Sequence, residues 1–404
     1  MTTMENTLLS STYKYGSIKI KMTTEIKLTD LNIGHYVVNI VEQAGEFTLS
    51  APAHIKSIKT IKTLKNKGVI SVLIDESKTL GNSIPASLKS KKAEELLHAK
   101  AIFTESKNIQ KDIYSKALLG AAIDLTPVVD VTNKSVDAIF NNPDSLACMV
   151  NIREKDEYLL EHSVAVSIYI TIFAHYLQFD KKIIQELSVG AFLHDIGKIK
   201  IPEKVLNKPG KLTDEEFTVM KTHVNHSIAI IEKTEGISEL SLEIAAQHHE
   251  KLNGKGYPFG LSGNKISQYG RMIAICDIFD ALTATRVYKK GFTHPKAFSI
   301  LRELGKQEHL DTQLVDQFIR CIGVFPIGSL VQLESNKIAI VDQRNSDDPT
   351  NPKVRAFYSV KLNQYENTQY IDLTDTDDFI VKGVRAEEFN INMDTIVEML
   401  LMEG

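Results

Sequence analysis

The chain has 404 residues, too many for one ordinary domain and enough for two or three of roughly 150 residues each. Hydrophobic content of 43% against 24% charged excludes global disorder. With 47 basic against 51 acidic residues there is no basic excess for a dedicated nucleic-acid binder, so neither DNA nor RNA is an expected partner. Three cysteines, Cys148, Cys276 and Cys321, exclude a disulfide framework and a cysteine-built zinc site, and they fit a reducing compartment.

Residues 1–24 read as a flexible tail with no apolar core for a secretory signal. Met22-Thr23-Thr24 repeats the opening Met-Thr-Thr, so the segment before it reads as an optional start. Residues 25–85 read as a small α/β accessory module, a regulatory or interaction unit with no catalytic cluster. Ile26–Leu31 and Tyr36–Val41 are predicted strands around a Gly34 turn. A helix is predicted from Pro52, with Ile55, Ile58, Ile61 and Leu64 at steps of three, and Val69–Ile74 is a further strand. Residues 86–146 are rich in Lys, Ala, Glu and Leu and read as a helical connector, either packed or in its first part a solvated spacer. Residues 147–325 read as a series of amphipathic helices. Their longest apolar stretch, Val164–Phe179, is short for a membrane span, so the expectation is a cytoplasmic protein without one. Beyond Pro326, the segments Leu330–Leu333, Ile338–Val341, Val354–Val360 and Tyr370–Leu373 alternate like strands, and a helix over Met393–Leu401 closes a β-rich extension, 326–404.

Nine of the twelve histidines fall between positions 150 and 310, a bunching that scattered surface histidines would not show. On a predicted helix around 187–198, Leu187, Ala191, His194, Asp195 and Lys198 share a stripe that turns from apolar to charged. Gly197 loosens that helix and Pro202 stops it. Buried charge is costly unless paired or bound to metal, so His194-Asp195 is either a structural salt bridge or a metal site. His162 heads an apolar stripe of Val166, Tyr169, Phe173 and Leu177, where a satisfied core histidine is the alternative. Thr213 and Glu216 form a capping-box pattern for a helix that carries His223; His226, a turn further on, reads as supporting or superficial. His248 and His249 would diverge by about 100° on a helix and can share a site only if it lies between them or if the helix ends there, as the following Gly254–Pro258 loop allows. Asp277 and Asp280 lie in an apolar helix, as a cap or arginine partners, or with Asp277 closing a metal site and Asp280 orienting a neighbour. Five separate segments thus place imidazole or carboxylate at the edge of an apolar face, which points to a buried site with more than one metal. Imidazole and carboxylate without thiolate suit iron, manganese or zinc. With Asp195 as a bridge, two divalent ions would form the clamp used for in-line attack on a phosphoester by hydroxide generated from water.

These residues also carry a resemblance. His194-Asp195-Ile196-Gly197-Lys198 resembles the HDIGK signature of the HD superfamily. His248-His249-Glu250 with Gly256-Tyr257-Pro258 resembles the HHE…GYP motif of its HD-GYP subgroup, and Asp277 to Tyr288 resembles the DxFDALTxxRPY segment. Residues 147–325 are covered, and 25–85 resembles the module that often precedes such domains. The resemblance implies a multidomain, mainly α protein. An HD-superfamily helical bundle would be its catalytic domain, flanked by the small α/β N-terminal module and the β-rich C-terminal extension. It is similar to bacterial cyclic di-GMP phosphodiesterases and implies hydrolysis to linear pGpG.

By motif, the implied ligands are His162, His194, Asp195 and Asp277 for one ion, and Asp195, His223, His248 and His249 for the other. Asp195 and Lys198 are the implied catalytic residues; Lys198, Tyr257, Arg286 and Lys289 would contact substrate. Alternatively, Lys198 is a helix C-terminal charge and Lys289 and Lys290 are solvated. Asn253 stands in place of the family's Asp and Val287 in place of its Pro. Tyr158 occupies the position of a glutamate that recruits a third metal in some members; Glu157 and Glu161 would face away from His162, so two ions are expected. The alternatives are a cyclic-dinucleotide receptor or scaffold for GGDEF-type partners, an enzyme for 3′,3′-cyclic GMP-AMP, or a nucleotide or alarmone phosphohydrolase. A homodimer is left open, since no coiled-coil pattern specifies one.

Overall fold

The computed structural model describes residues 23–31, 35–49, 51–55, 58–75, 91–152, 158–285, 290–345 and 347–402. The chain divides into two compact units, Met1–Lys89 and Ser90–Gly404.

In the first unit, β1 (Thr23–Lys27), β2 (Tyr36–Gln43), β3 (Ala53–His54) and β4 (Val69–Asp75) form an antiparallel sheet in the order β1-β4-β2-β3, with helix α1 (Ile58–Asn66) before β4. Leu28, Leu31, Val37, Ile55, Leu64, Val69, Val72 and Ile74 make its core. Two expectations are corrected here. The first strand begins earlier and stops at Lys27, because Leu28–Asp30 coil into a 3-10 turn that buries Leu28 and Leu31 together. The helix starts at Ile58 instead of Pro52, because Ala53 and His54 pair with Val37 and Tyr36 at the sheet edge.

The second unit is mainly helical. Its helices are α2 (Lys91–Leu118), α3 (Thr126–Asn141), α4 (Pro143–Ile152), α5 (Tyr158–Tyr176), α6 (Lys181–Leu193), α7 (Glu203–Leu206), α8 (Asp214–Ile231), α9 (Glu239–Gln247), α10 (Gln268–Thr283), α11 (His294–Lys306) and α12 (Thr312–Ile322). A sheet follows, built of β5 (Leu330–Leu333), β6 (Lys337–Gln343), β7 (Lys353–Ser359), β8 (Gln364–Asp372) and β9 (Ile380–Val384), and α13 (Met393–Met402) ends it. The strand order is β8-β7-β6-β5-β9, antiparallel throughout, so β9 returns to pair beside β5. Sequence reading did not pick out β9, whose Gly383 and exposed Val381 and Lys382 break the alternation of a half-buried strand.

Helix α5 is the axis of this unit. Every residue from Glu161 to Ala174 is buried, which is why its sequence is apolar on all sides while too short to be a span. No described helix is long and apolar enough to cross a membrane. Tyr169 and Phe173 of α5 meet Phe279 of α10 and Phe318 of α12 edge to face, with ring centroids 5.1–5.3 Å apart for Tyr169–Phe279, Phe173–Phe318 and Phe279–Phe318. Burying each such ring contributes about 1.5–3 kcal/mol, so the helices that carry His162 and Asp277 stand on a rigid base. The connector helix α2 is packed: Leu96, Ala99, Ile102, Phe103, Ile113 and Ala117 join the same core as the bundle and the C-terminal sheet.

Candidate metal centre

The structure brings together all seven candidate ligands named from the sequence. His162 comes from the start of α5, Asp277 from the middle of α10 and His223 from α8. The other four sit at helix ends. The expected helix over 187–198 stops at Leu193; His194 occupies its C-cap, Asp195 turns the chain, and Ile196–Lys200 form a 3-10 turn. Gly197 does more than loosen a helix: a Cβ there would lie 2.1 Å from the His223 carbonyl and 2.3 Å from the Ser227 nitrogen. Its own N–H donates to Ser227 Oγ at 2.9 Å, so the absence of a side chain lets the turn lie flush against α8. Helix α9 ends at Gln247, which places His248 at the C-cap and His249 beyond it. The capping box of Thr213 and Glu216 starts α8 as its sequence indicates.

Three sets of donors converge: His162, His194 and Asp277; His223, His248 and His249; and His194, Asp195 and His248, with the atoms of each set within 4.8 Å of one another. Asp195 spans them. Its Oδ2 lies 3.4 Å from His162 Nε2 and 3.3 Å from His194 Nε2, while Oδ1 lies 3.3 Å from His223 Nε2 and 3.8 Å from His248 Nε2. His162 Nε2 is 2.9 Å from Asp277 Oδ1, and His249 Nδ1 is 3.7 Å from Asp277 Oδ2. Ligands about 2.1 Å from a shared tetrahedral ion stand about 3.4 Å apart, close to most of these spacings. His226, half-buried, belongs to none of these sets.

The hydrogen bonds show which nitrogens are free to ligate. Nδ1 of His194, His223 and His248 each lies 2.7 Å from a carbonyl three residues earlier, of Ala191, Met220 and Ala245. A carbonyl only accepts, so each Nδ1 donates, and the neutral ring is left with a bare lone pair on Nε2. His223 Nε2 and His248 Nε2 then face each other at 3.4 Å, acceptor against acceptor. His194 Nε2 and Asp195 Oδ1 are buried with no hydrogen-bond partner among the described residues. Converging buried acceptors are costly unless a cation lies among them, so the donor set fits divalent metal. Asp280 Oδ2 accepts from His162 Nδ1 at 2.8 Å and orients that ring in the same sense.

Charge follows this arrangement. Burial alone would push the Asp195 carboxyl up, but the Lys198 ammonium and the His194 imidazole overcome it and hold it well below the usual range. Asp277 is likewise held down against burial, chiefly by His162 and His249. Burial pushes His248 well below its ordinary value and His249 to about 3, so both rings stay neutral and ready to ligate. Lys198, at the site's edge, bonds Asp195 Oδ2. Tyr257 packs against His249 with ring centroids 4.7 Å apart and planes tilted by 38°, and burial raises its hydroxyl, which stays protonated. Arg286 and Lys289, and with them Val287, lie outside the described residues.

One role was not read from the sequence. Glu250, buried beside the two histidines, accepts the backbone N–H of Phe259 at 2.8 Å, Gly260 at 3.1 Å and Leu261 at 2.9 Å. It clasps the loop that carries Tyr257, and Gly256 passes so close that a Cβ would lie 2.5 Å from Glu250 Cα. Asn253 Oδ1 accepts from Lys255 N at 3.0 Å, a turn that an aspartate would make equally, and Asn253 Nδ2 donates to Gln307 O as no aspartate could. Glu161 is bonded to Lys107 at 2.6 Å, away from the ligand sets.

A helical bundle that gathers His and Asp from five segments around an HD turn defines an HD-type metal-phosphohydrolase scaffold. Residues 147–314 match the HD domain family, and 23–128 match a domain of unknown function, DUF3391. The chain is 30% identical to the cyclic di-GMP phosphodiesterase PA4108 of Pseudomonas aeruginosa, over 92% of this chain and 95% of that protein. A cyclic di-GMP phosphodiesterase of Vibrio cholerae is 44% identical over 39% of this chain and 34% of its own length. The 3′3′-cGAMP-specific phosphodiesterase 2 of the same organism is 35% identical over 47% of this chain and 35% of its own. The chain belongs to the HD-GYP family of HD-domain cyclic-dinucleotide phosphodiesterases.

Proposed function

We propose that this protein hydrolyses one phosphodiester bond of cyclic di-GMP to give linear pGpG. The observation that carries the reading is the convergence of buried, outward-facing imidazole lone pairs on Asp195, in a chain similar over nearly its whole length to a cyclic di-GMP phosphodiesterase. His162, His194, Asp195 and Asp277 would hold one divalent ion, and Asp195, His223, His248 and His249 the other. Iron or manganese suits these ligands best, and zinc is compatible. When bound, such ions lower the pKa of water and offset charge on phosphoryl oxygens.

The chain's own groups do the rest. Asp195, with one oxygen toward His162 and His194 and the other toward His223 and His248, would keep the two donor sets in register. Lys198 stands at the rim, where its ammonium balances Asp195 and can meet a phosphate oxygen. Tyr257, a neutral phenol over His249, borders the substrate space with the loop that Glu250 clasps. Arg286 and Lys289 are assigned to the second phosphate on the motif alone.

The test is incubation of metal-quantified protein with cyclic di-GMP and, in parallel, 3′,3′-cyclic GMP-AMP, with products separated by chromatography and Asp195→Ala as control. Accumulation of pGpG, absent in the variant, is expected. Rapid, complete conversion to GMP would refute the two-ion, single-cleavage reading. Faster turnover of cyclic GMP-AMP would move the substrate to that of the cGAMP-specific relatives. Binding of either dinucleotide to metal-loaded protein without turnover would make it a receptor.

A further inference from the structure

The metal turn is held from behind by α2, a helix outside the segment that matches the HD domain. Helix α6 ends without glycine, so its last carbonyls need partners from elsewhere. Ala191 O is taken by the His194 ring. Phe192 O is taken by Gln110 Nε2 of α2, at 3.1 Å and across 82 residues of sequence. Asp195 O receives the Tyr114 hydroxyl at 3.2 Å beside the Lys198 N–H at 2.9 Å. Three residues before Gln110, Lys107 bonds Glu161, the neighbour of His162. Steps of three and four put Lys107, Gln110 and Tyr114 on one face of α2.

Packing accounts for the Tyr114 ring, which joins the core, but not for its hydroxyl or for Gln110. The buried positions of α2 run Leu96, Ala99, Ile102 and Phe103, then admit Ser106, Gln110 and the Tyr114 hydroxyl between the apolar Ile113 and Ala117, where the helix passes the metal turn. Gln110 is fully buried, and its Oε1 has no partner among the described residues, so a leucine would fill the place at lower cost but for the one bond it makes. At its other end α2 is fastened to the C-terminal sheet, since Lys92 bonds Asp342 at 2.6 Å.

We propose that Gln110 and Tyr114 are positioning residues for the metal ligands: by fixing the Phe192 and Asp195 carbonyls, they set where His194 and Asp195 stand. The inference rests on the metal-centre reading above. The full-length protein, stripped by chelation, is titrated with Mn²⁺ as wild type, Tyr114→Phe, Gln110→Leu and Ile102→Val. The last trims the buried face of α2 and touches neither carbonyl. Tyr114→Phe and Gln110→Leu should each weaken Mn²⁺ binding about tenfold, the effect of losing a group that orients a metal ligand. At saturating Mn²⁺ they should lower kcat for cyclic di-GMP and leave KM unchanged. Ile102→Val should keep wild-type Mn²⁺ affinity even where its melting temperature falls as far. Wild-type Mn²⁺ affinity in both polar variants, or equal weakening in Ile102→Val, would overturn the proposal. Should the wild type turn over no cyclic di-GMP, the functional reading fails by itself and the Mn²⁺ comparison still decides this one.

Discussion

Replacing Gly197 by alanine tests whether the metal turn depends on its contact with α8. Gly197 is not in the left-handed region, so alanine meets no backbone strain there and would be mildly favoured on propensity alone. The obstacle is space. The new Cβ would stand 2.1 Å from His223 O and must open to at least 3.0 Å, a shift of about 0.9 Å, and the two nearest atoms, His223 O and Ser227 N, are backbone, with Ser227 Oγ at 2.8 Å the third. Overpacking of this kind costs about 1–3 kcal/mol. The displaced backbone belongs to His223, so the set with His248 and His249 parts from the set with His162 and Asp277 by nearly an ångström. Misplacement on that scale costs about 100-fold in rate. Thermal unfolding of the chelated protein, Mn²⁺ stoichiometry and turnover would be read together. The expected result is a folded but less stable protein that binds fewer ions at wild-type affinity and hydrolyses cyclic di-GMP about 100-fold more slowly. Full stability with both ions bound at wild-type affinity would refute the reasoning, because no position of the Cβ avoids the His223 carbonyl unless the turn and α8 separate.

Glu250→Gln puts an amide N–H against a backbone N–H and removes a charge-assisted acceptor, a local loss of about 1.5–3 kcal/mol. The amides of Phe259, Gly260 and Leu261 should exchange hydrogen faster and KM should rise while Mn²⁺ affinity holds; unchanged protection would show that the clasp is idle. Asp280→Asn weakens the bond that orients His162, and Mn²⁺ affinity should fall about 10- to 100-fold, as measured by titration. For the metal-free protein the sign of the pH dependence is fixed. His248 and His249 have folded values below the ordinary 6.5, so the unfolded chain takes up protons first as pH falls, and stability declines from about 6.5 downward. Asp195 and Asp277, held below their usual values, add stability that is lost only at lower pH, with the same sign. Both histidines contribute alike to this early loss, since both folded values lie well below 6.5. A melting temperature that stays level between about pH 7 and pH 5 would contradict this.

The residues that converge here could be picked out as candidate ligands because each lies where an apolar stripe meets polarity, and that pattern is local. His162 with Val166, Tyr169 and Phe173 could be read without a partner in view. The end of α6 was not legible in the same way. Leu187 to Lys198 has helical spacing throughout, and the chain leaves the helix at His194 only because α8 presses against Gly197 and α2 supplies the caps. Those partners come from distant parts of the sequence, and no periodicity reports them. The same holds for Ala53 and His54, which a helical reading absorbed until Tyr36 and Val37 claimed them as sheet partners. Gln110 and Tyr114 did carry a local signal, two large polar groups on a buried stripe, but within a charged, alanine-rich helix it reads as surface.

The adjacent ligand pairs have a common geometric reason to sit at helix ends. Within a helix, neighbours diverge by about 100°, so His194 and Asp195, or His248 and His249, could serve one centre only if it lay between them. At a C-terminus the second residue is freed from helical direction, and Asp195, at φ −102° and ψ 7°, uses that freedom to face both donor sets. The same ends supply carbonyls without intrahelical partners, and Ala191 and Ala245 spend theirs on the histidine Nδ1 groups, which fixes Nε2 as the ligand atom. Helix C-termini also carry partial negative charge. The rings of His194 and His248 stand 4.7 Å apart between centroids, so the negative ends of α6 and α9 meet at the point where the lone pairs converge. The tautomer alone does not need a helix end, since His223 makes the same bond to Met220 O within α8. Placement of the adjacent pairs and the field are therefore consequences of one choice, the termination of two helices at the same spot, and a substitution that extended either helix by a turn would remove both at once while leaving every candidate ligand in the sequence.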